Sequence, residues 1–417
     1  MKLVWLSHFI PFPPRGGSRQ RSFNLIRHIS AKYETHLVAL NMQGETQERA
    51  AEYASELRKY CAEVEIWDPP YRWRGARWWA QLALSPFYRH PYGSRALWSP
   101  ALGRRWEGFL AKHSGALVHF DSIDLALYFP AAAGFRKVLN HHNCESAMAE
   151  RRAEKESNPL KRAYLRGQAR KLRRLEQETC HQFDVNLTVS ELDTQTLQAR
   201  NPQAHCHVVE NGTDTEYFHP SDVPTEPNTL IFAGGLSWYP NVSGIRFFVQ
   251  QIWPILKQKC PGIRLYLAGR SPARAVVELA QSDPAIDLIA DPEDIRPWIW
   301  KASVFICPII DGGGTRLKIL DALAMGKAVV STTIGAEGLD VKPGEHLLVV
   351  DTPAAFAGSV AQALGDDGLR QRLGTCGRVF ADRLYGWDAI SDHLDDAYLR
   401  AIRTGIVQAR LGTQKAV

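Results

Sequence analysis

The chain predicts an α/β protein made of two doubly wound parallel-sheet domains facing a cleft. Three observations lead there. Short apolar runs alternate with helix-length amphipathic segments, a polar, proline-rich stretch breaks the rhythm near mid-chain, and the rhythm then starts again. Strands joined by helix-length crossovers pair in parallel, with helices covering both faces of the sheet. At 417 residues the chain is also too long for one ordinary core.

In the first half, residues 2–7 read as a buried strand, 18–32 as a helix and 35–40 as the next strand, with further strands at 62–67, 116–120 and 136–140. The segment Asn211-Gly212-Thr213-Asp214 and the loose stretch 219–228, with Pro220, Pro224 and Pro227, read as a linker. Beyond it, strands are expected at 230–233, 264–268, 286–290, 304–308, 328–331 and 347–350, a helix at 242–259, and a last amphipathic helix at 387–403. The domains are thus expected at 1–210 and 211–386, with a terminal helix over 387–405 packing back on the first. Ligands of such folds bind at the carboxyl ends of the strands.

Composition narrows the class. With 45% hydrophobic and 23% charged residues the chain is globular rather than disordered or fibrous. Seven scattered cysteines form no CxxC pattern, which argues against a disulfide framework or a zinc motif and fits a reducing cytoplasm. The apolar run 1–7 ends at His8 and Pro11, too short for a signal peptide or a membrane helix, and no later stretch is long enough to span. A cytoplasmic protein is expected, able to sit on the inner face of the membrane. Residues 1–210 carry 30 Lys and Arg against 21 Asp and Glu, whereas the remainder carries 20 against 23. The basic half calls for a polyanionic partner: nucleotide phosphates, a lipid surface or nucleic acid.

Two segments depart from the general style. Residues 71–98 interleave Trp73, Trp78, Trp79, Phe87, Tyr88, Tyr92 and Trp98 with Arg72, Arg74, Arg77, Arg89 and Arg95. Residues 151–174 read as one basic helix with ten Lys and Arg. Aromatic and basic side chains together suit a lipid interface: the first segment is expected to be an interface or an acceptor lip rather than plain core, and a plain solvated helix face is the competing reading of the second.

The most informative stretch follows the apolar run 304–308. It reads Asp311-Gly312-Gly313-Gly314-Thr315-Arg316-Leu317-Lys318 and continues as a helix through Asp321. A strand that runs into a glycine loop and then a helix presents unpaired backbone N–H groups and a positive helix end to a phosphate. Arg316 and Lys318 add charge. The spacing matches neither a Walker loop nor a GxGxxG fingerprint.

Residues 312–339 resemble the donor-site block of glycosyltransferase family 4 (group 1), whose members have the GT-B fold and retain anomeric configuration. Other blocks resemble the family in order. They are Gly16-Gly17-Ser18 in the N-terminal loop, 139–145 with His141-His142-Asn143-Cys144-Glu145, Asn211-Gly212-Thr213-Asp214, Gly234-Gly235 after the first donor strand, and 265–269 ahead of Arg270. The resemblance implies a hexosyltransferase that uses a UDP- or GDP-sugar and a glycan or lipid-linked acceptor, in exopolysaccharide or lipopolysaccharide biosynthesis. It implies that Gly16, Gly17, Ser18, Gly234, Gly235, Arg270, Gly313, Gly314, Thr315, Arg316, Leu317 and Lys318 surround the donor and that Asp321 grips the ribose. The family's Glu-x7-Glu pair reads here as Gly313 and Asp321, so the first Glu is absent and Asp311 is the nearest replacement. The usual Arg and Lys after the first donor strand are also absent.

On the acceptor side His142 is the expected catalytic histidine, with His141 as competitor. Same-face substitution, in which the donor phosphate accepts the proton, needs no side-chain nucleophile, and no GxSxG is present. No cofactor is expected, and no metal, since amides and cations can neutralise the diphosphate. An epimerase or phosphorylase on the same fold and a non-catalytic sugar-nucleotide-binding subunit are the rival readings. A nucleic-acid binder ranks last, for want of a recognition motif.

Overall fold

The computed structural model describes residues 1–70, 76–312 and 314–414. The chain divides into two compact units, one of residues 1–210 with the chain from Ile390 onward, the other Asn211–Ala389. Thus Gly313, Arg72, Trp73 and Arg74 lie outside the described residues, as do the side chains of Arg77 and Trp78.

In the first unit the strands are β1 (Lys2–Ser7), β2 (Glu34–Leu40), β3 (Glu63–Trp67), β4 (Leu117–Phe120), β5 (Arg136–Asn140), β6 (Val185–Thr188) and β7 (Cys206–Val208). They form a parallel sheet in the order β3-β2-β1-β4-β5-β6-β7. Leu3, Val4, Trp5 and Leu6 are all fully buried, as expected of a central parallel strand covered on both faces. The winding direction reverses between β1 and β4, which opens a crevice at their carboxyl ends.

The second unit repeats the plan with β8 (Thr229–Ala233), β9 (Arg264–Gly269), β10 (Ile286–Ala290), β11 (Val304–Cys307), β12 (Ala328–Ser331) and β13 (Leu348–Val349). Its order is β10-β9-β8-β11-β12-β13, also parallel, with the reversal between β8 and β11. Leu230, Ile231, Phe232, Val304 and Phe305 are fully buried at its centre.

The structure departs from the sequence expectations in three places. Strands β6 and β7 were not anticipated. Asn186 interrupts the apolar pattern of β6, and β7 is a half-buried edge. The single basic helix expected over 151–174 is two helices, Glu145–Lys155 and Pro159–Thr179. The Asn158 side chain accepts from the amides of Leu160 and Lys161, and Pro159 opens the second helix where an N–H has no partner to lose. The helix expected over 242–259 begins at Tyr239 and carries a π-helical turn, Phe248–Ile252, before Trp253–Lys259. Pro254 lacks the N–H that a regular α-helical ladder requires there.

From Ile390 the last helix, Trp387–Gln414, belongs to the first unit. Lys32 Nζ lies 2.9 Å from both Asp392 and Asp395, Tyr33 donates to Asp395 at 2.7 Å, and Tyr398 OH is 2.7 Å from His119 Nδ1. At the borders of the second unit, Thr213 pairs with Gly386, and the Thr213 amide donates to Tyr385 O at 2.7 Å.

Candidate functional site

Each unit gathers polar groups at its own switch point. In the second unit, β11 leads through Pro308 to Asp311, Gly312 and Gly314, both glycines with positive φ, and then to the helix Leu317–Ala324. The Ile319 amide donates to Arg316 O at 2.9 Å, and no side chain caps that helix end. Leu317 anchors that end in the core, and Asp311 accepts from the Gly312 amide at 2.6 Å. The Arg316 guanidinium folds back onto the carbonyls of Gly314 and Asp311.

Lys318 turns toward the end of β8. Its ammonium donates to Asn241 Oδ1 at 2.8 Å and stands 4.0 Å from the centre of the Phe232 ring. Burial pulls its pKa down to about 8. Gly234 has a φ of +148°, strained for a side chain, and a Cβ there would come 2.7 Å from that nitrogen and push the lysine aside. Asn241 also donates to Gly235 O at 2.7 Å. Arg270, after β9, accepts from the Leu236 amide through its carbonyl and is half-buried.

One turn beyond Lys318, Asp321 Oδ1 accepts from the Thr213 hydroxyl at 2.7 Å. Burial raises its pKa to about 7, with the Thr213 bond opposing and Asp214 adding to the rise. Asn211 donates to the Thr315 hydroxyl. The segment 211–214 therefore braces the donor-like loop and helix at two points, a partnership that sequence spacing alone did not reveal.

In the first unit, Asp121 follows β4 and is fully buried. It accepts from Ser7 Oγ at 3.0 Å, Ser22 Oγ at 2.8 Å and Asn140 Nδ2 at 3.0 Å. His142 Nε2 lies 3.5 Å from Asp121 Oδ1, and His8 Nδ1 lies 4.0 Å from Oδ2. Burial alone would raise the Asp121 pKa, yet His142, His8 and His119 together hold it well below the usual carboxylate range. Burial drives His8 to about 3, so its ring is neutral. Behind the cluster, buried Arg21 donates to Asn140 Oδ1 at 3.0 Å and to Glu210 O at 2.7 Å.

The two adjacent histidines separate cleanly. His141 points to β6, with Nε2 3.1 Å from Asn186 Oδ1, and burial lowers its pKa to about 4. His142 instead faces Asp121, with Nε2 3.5 Å from Oδ1. The ligand atoms of His8, Asp121 and His142 all lie within 4.8 Å of one another, a set that could also hold a divalent ion. Gly16, Gly17 and Ser18 are exposed at the start of the helix Gly17–Ile29, whose Ser22 reaches Asp121. The structure thus assembles Gly234, Gly235, Gly314–Lys318 and Asp321 in one unit and His142 in the other. Sequence reasoning missed His8, Arg21 and Asp121, although each lies at or near the crevice end of β1 or β4, or on the helix after β1.

Comparison with known proteins agrees with this architecture. Residues 15–217 match the model described as Glycosyltransferase Family 4, and residues 227–366 match the one described as Glycosyl transferases group 1. A 44.6 kDa protein of the cps region of Klebsiella pneumoniae is 31% identical over 31% of this chain and 35% of its own length. A phosphatidyl-myo-inositol mannosyltransferase of Mycobacterium tuberculosis is 25% identical over 46% of this chain and 53% of its own. The matches thus span about half or less of these relatives. Among solved structures, sucrose-phosphate synthase from Thermosynechococcus elongatus superposes with a TM-score of 0.73 at 15% identity, covering 97% of this chain and 100% of that one. Anabaena HepE in complex with UDP gives 0.64 at 13% identity, covering 95% and 99%. With the two family models side by side along most of its length and a parallel-sheet unit beneath each, the chain belongs to the family 4, group 1 glycosyltransferases of GT-B fold.

Proposed function

We propose that this protein transfers a sugar from a UDP- or GDP-sugar to a glycan or lipid-linked acceptor, with retention of configuration, in cell-surface polysaccharide assembly. The observation that carries the reading is the second unit's switch point, where a helix start without a side-chain cap, half-buried Lys318 and half-buried Asp321 follow one another. Amides and the lysine meet the diphosphate, and the Asp321 carboxylate accepts from the ribose hydroxyls in place of Thr213. The UDP held by HepE and the cps location of the Klebsiella relative support the donor class and the pathway.

As the glycosidic bond to phosphate lengthens, negative charge grows on the leaving diphosphate, where the amides and Lys318 stabilise it. The acceptor hydroxyl attacks from the same face and passes its proton to the departing phosphate oxygen. On the first unit, His142 beside Asp121 is the group assigned to the acceptor. No metal is required.

Calorimetric titration with UDP and GDP in the presence of EDTA tests this account. Asp321→Ala should weaken binding by about 1–3 kcal/mol, the scale of lost charge-assisted hydrogen bonds. Wild-type affinity should rise as pH climbs from 6 through 7, because Asp321 loses its proton near 7 and the ionised form is the better acceptor. Asp321→Asn should flatten that rise. Undiminished affinity in Asp321→Ala removes Asp321 from the site, and binding that vanishes with EDTA overturns the metal-free account.

The acceptor's setting follows from the first unit's surface. The helix Pro159–Thr179 packs on the segment after the helix Ala76–Leu84, with Tyr164 OH 2.9 Å and Gln168 Nε2 3.1 Å from Ser85 Oγ. Trp79, Phe87 and Leu160 stand out of that surface at 64%, 84% and 83% exposure, with Arg166, Arg170 and Arg173 exposed on the same helix as Leu160. Protruding apolar groups beside cations fit an anionic lipid surface. Glu150, Glu156 and Glu178 pair with several of the basic residues and temper the field. No helix among the described residues is long and apolar enough to cross a membrane. Co-sedimentation with anionic vesicles should exceed that with neutral ones and fall as salt rises, since exposed charges are screened over about 8 Å at physiological ionic strength. Equal binding to both vesicles returns the helix to a solvated face.

A further inference from the structure

We propose that His36, Glu63 and His113 form a binding site for a divalent transition-metal ion of the zinc type, at the amino end of the first unit's sheet. The fold itself assembles the three. His36 on β2 and Glu63 on β3 are direct partners in the parallel register, so their side chains share one face of the sheet. His113 caps the carboxyl end of the helix Pro100–Lys112, which lies over that face. Glu63 Oε2 is 3.4 Å from His36 Nδ1 and 3.0 Å from His113 Nε2, and the three ligand atoms all fall within 4.8 Å of one another. Bonds of about 2.0–2.1 Å to a tetrahedral ion put its ligands about 3.3 Å apart, close to the two distances found.

The surroundings fit as well. Both residues are almost wholly buried, at 5% and 2% exposure, and His36 Nδ1 has no hydrogen-bond partner among the described residues. A buried acceptor without a donor is costly unless something binds it. The far nitrogen of His36, Nε2, meets Glu34 Oε1 at 3.2 Å, the carboxylate support that orients a metal-bound histidine. The two oxygens of Glu63 divide their work: Lys112 holds Oε1 at 2.5 Å, while Oε2 meets His113 Nε2 in a hydrogen bond at 3.0 Å that an ion between them would replace. The nearby Lys112 charge repels a cation, so micromolar rather than tighter affinity is expected. Two histidines and a carboxylate are a borderline-soft set, suited to zinc or cobalt rather than magnesium or calcium.

The test uses the full chain, treated with EDTA and desalted. Cobalt chloride should produce the visible bands of a tetrahedral N/O site without a sulfur-to-cobalt charge-transfer band, and zinc chloride should displace it. Zinc should also raise the wild-type melting temperature by a few degrees, a measurement that needs no variant. His36→Ala and His113→Ala should each abolish the cobalt bands, and Glu63→Gln, which preserves shape, should weaken zinc binding by about 10–100-fold. A His8→Ala, His142→Ala double variant should keep them. The proposal is overturned by a wild type that shows neither bands nor a zinc-dependent rise. It is equally overturned by a signal lost only when His8 and His142 are replaced, by one that survives Glu63→Gln and His113→Ala, or by one carrying thiolate character.

Discussion

Replacing His142 with alanine is expected to slow sugar transfer by about 10²-fold or more, the scale of losing a group that positions the attacking hydroxyl. Nucleotide affinity should be unchanged, because the groups proposed to hold it belong to the second unit. Asp121→Asn should fall in the same range. It keeps the shape but removes the charge that orients the imidazole, and an amide there also offers a donor where Ser7, Ser22 and Asn140 already donate. His141→Ala should be far milder for turnover, since that ring serves Asn186 on β6. Steady-state assays with one donor and one acceptor separate the outcomes. Full activity in His142→Ala dismisses the histidine from the reaction. Wild-type binding of donor without transfer or hydrolysis would favour a binding subunit, with Gly313 in place of the family's glutamate as its simplest cause.

The second large effect concerns Lys318. Lys318→Met keeps an unbranched side chain but removes the ammonium over the Phe232 ring, the only lysine charge that the structure places against the end of β8 among the described residues. A drop in kcat of about 10²–10³ is expected, the range for losing one preorganised donor to developing charge, with a smaller change in KM. The pH profile supplies an independent readout. Free Lys318 is protonated below about 8 and neutral above it, so wild-type kcat/KM should decline on the alkaline side near that value. A bound diphosphate favours the ammonium, which moves the same limb of kcat to higher pH. An unshifted limb in the variant, or an unaltered kcat, would remove Lys318 from the leaving-group site.

The sheet framework was legible because buried parallel strands are continuous apolar runs, and all of the strands anticipated from such runs are present, with ends shifted by a residue or two. What stayed hidden had local physical causes. β6 carries Asn186 in its middle because that side chain answers His141 and the Cys180 carbonyl. The basic helix is cut by an Asn-Pro capping signal that a charge pattern obscures. At the site, the glycine loop and Lys318 were readable because one continuous segment supplies them. Asp121 was not, since it gains meaning only when β1, β4 and β5 bring Ser7, Asp121 and Asn140 together from distant parts of the chain.

The pairing of Thr213 with Gly386 has a topological consequence. The second unit enters and leaves at neighbouring points, whereas the first is discontinuous and is completed by the helix whose Tyr398 reaches His119 and whose Asp395 meets Lys32. In genetic terms the second unit is an insert within a host, with its two ends as close as domain insertion requires. A gene fragment ending at residue 210 would strip the host of its closing helix, while a fragment of 211–389 keeps its own ends paired. The two halves of the protein are therefore unequal as modules. Only the insert is one continuous segment, so it can be lifted out whole by two cuts at neighbouring points.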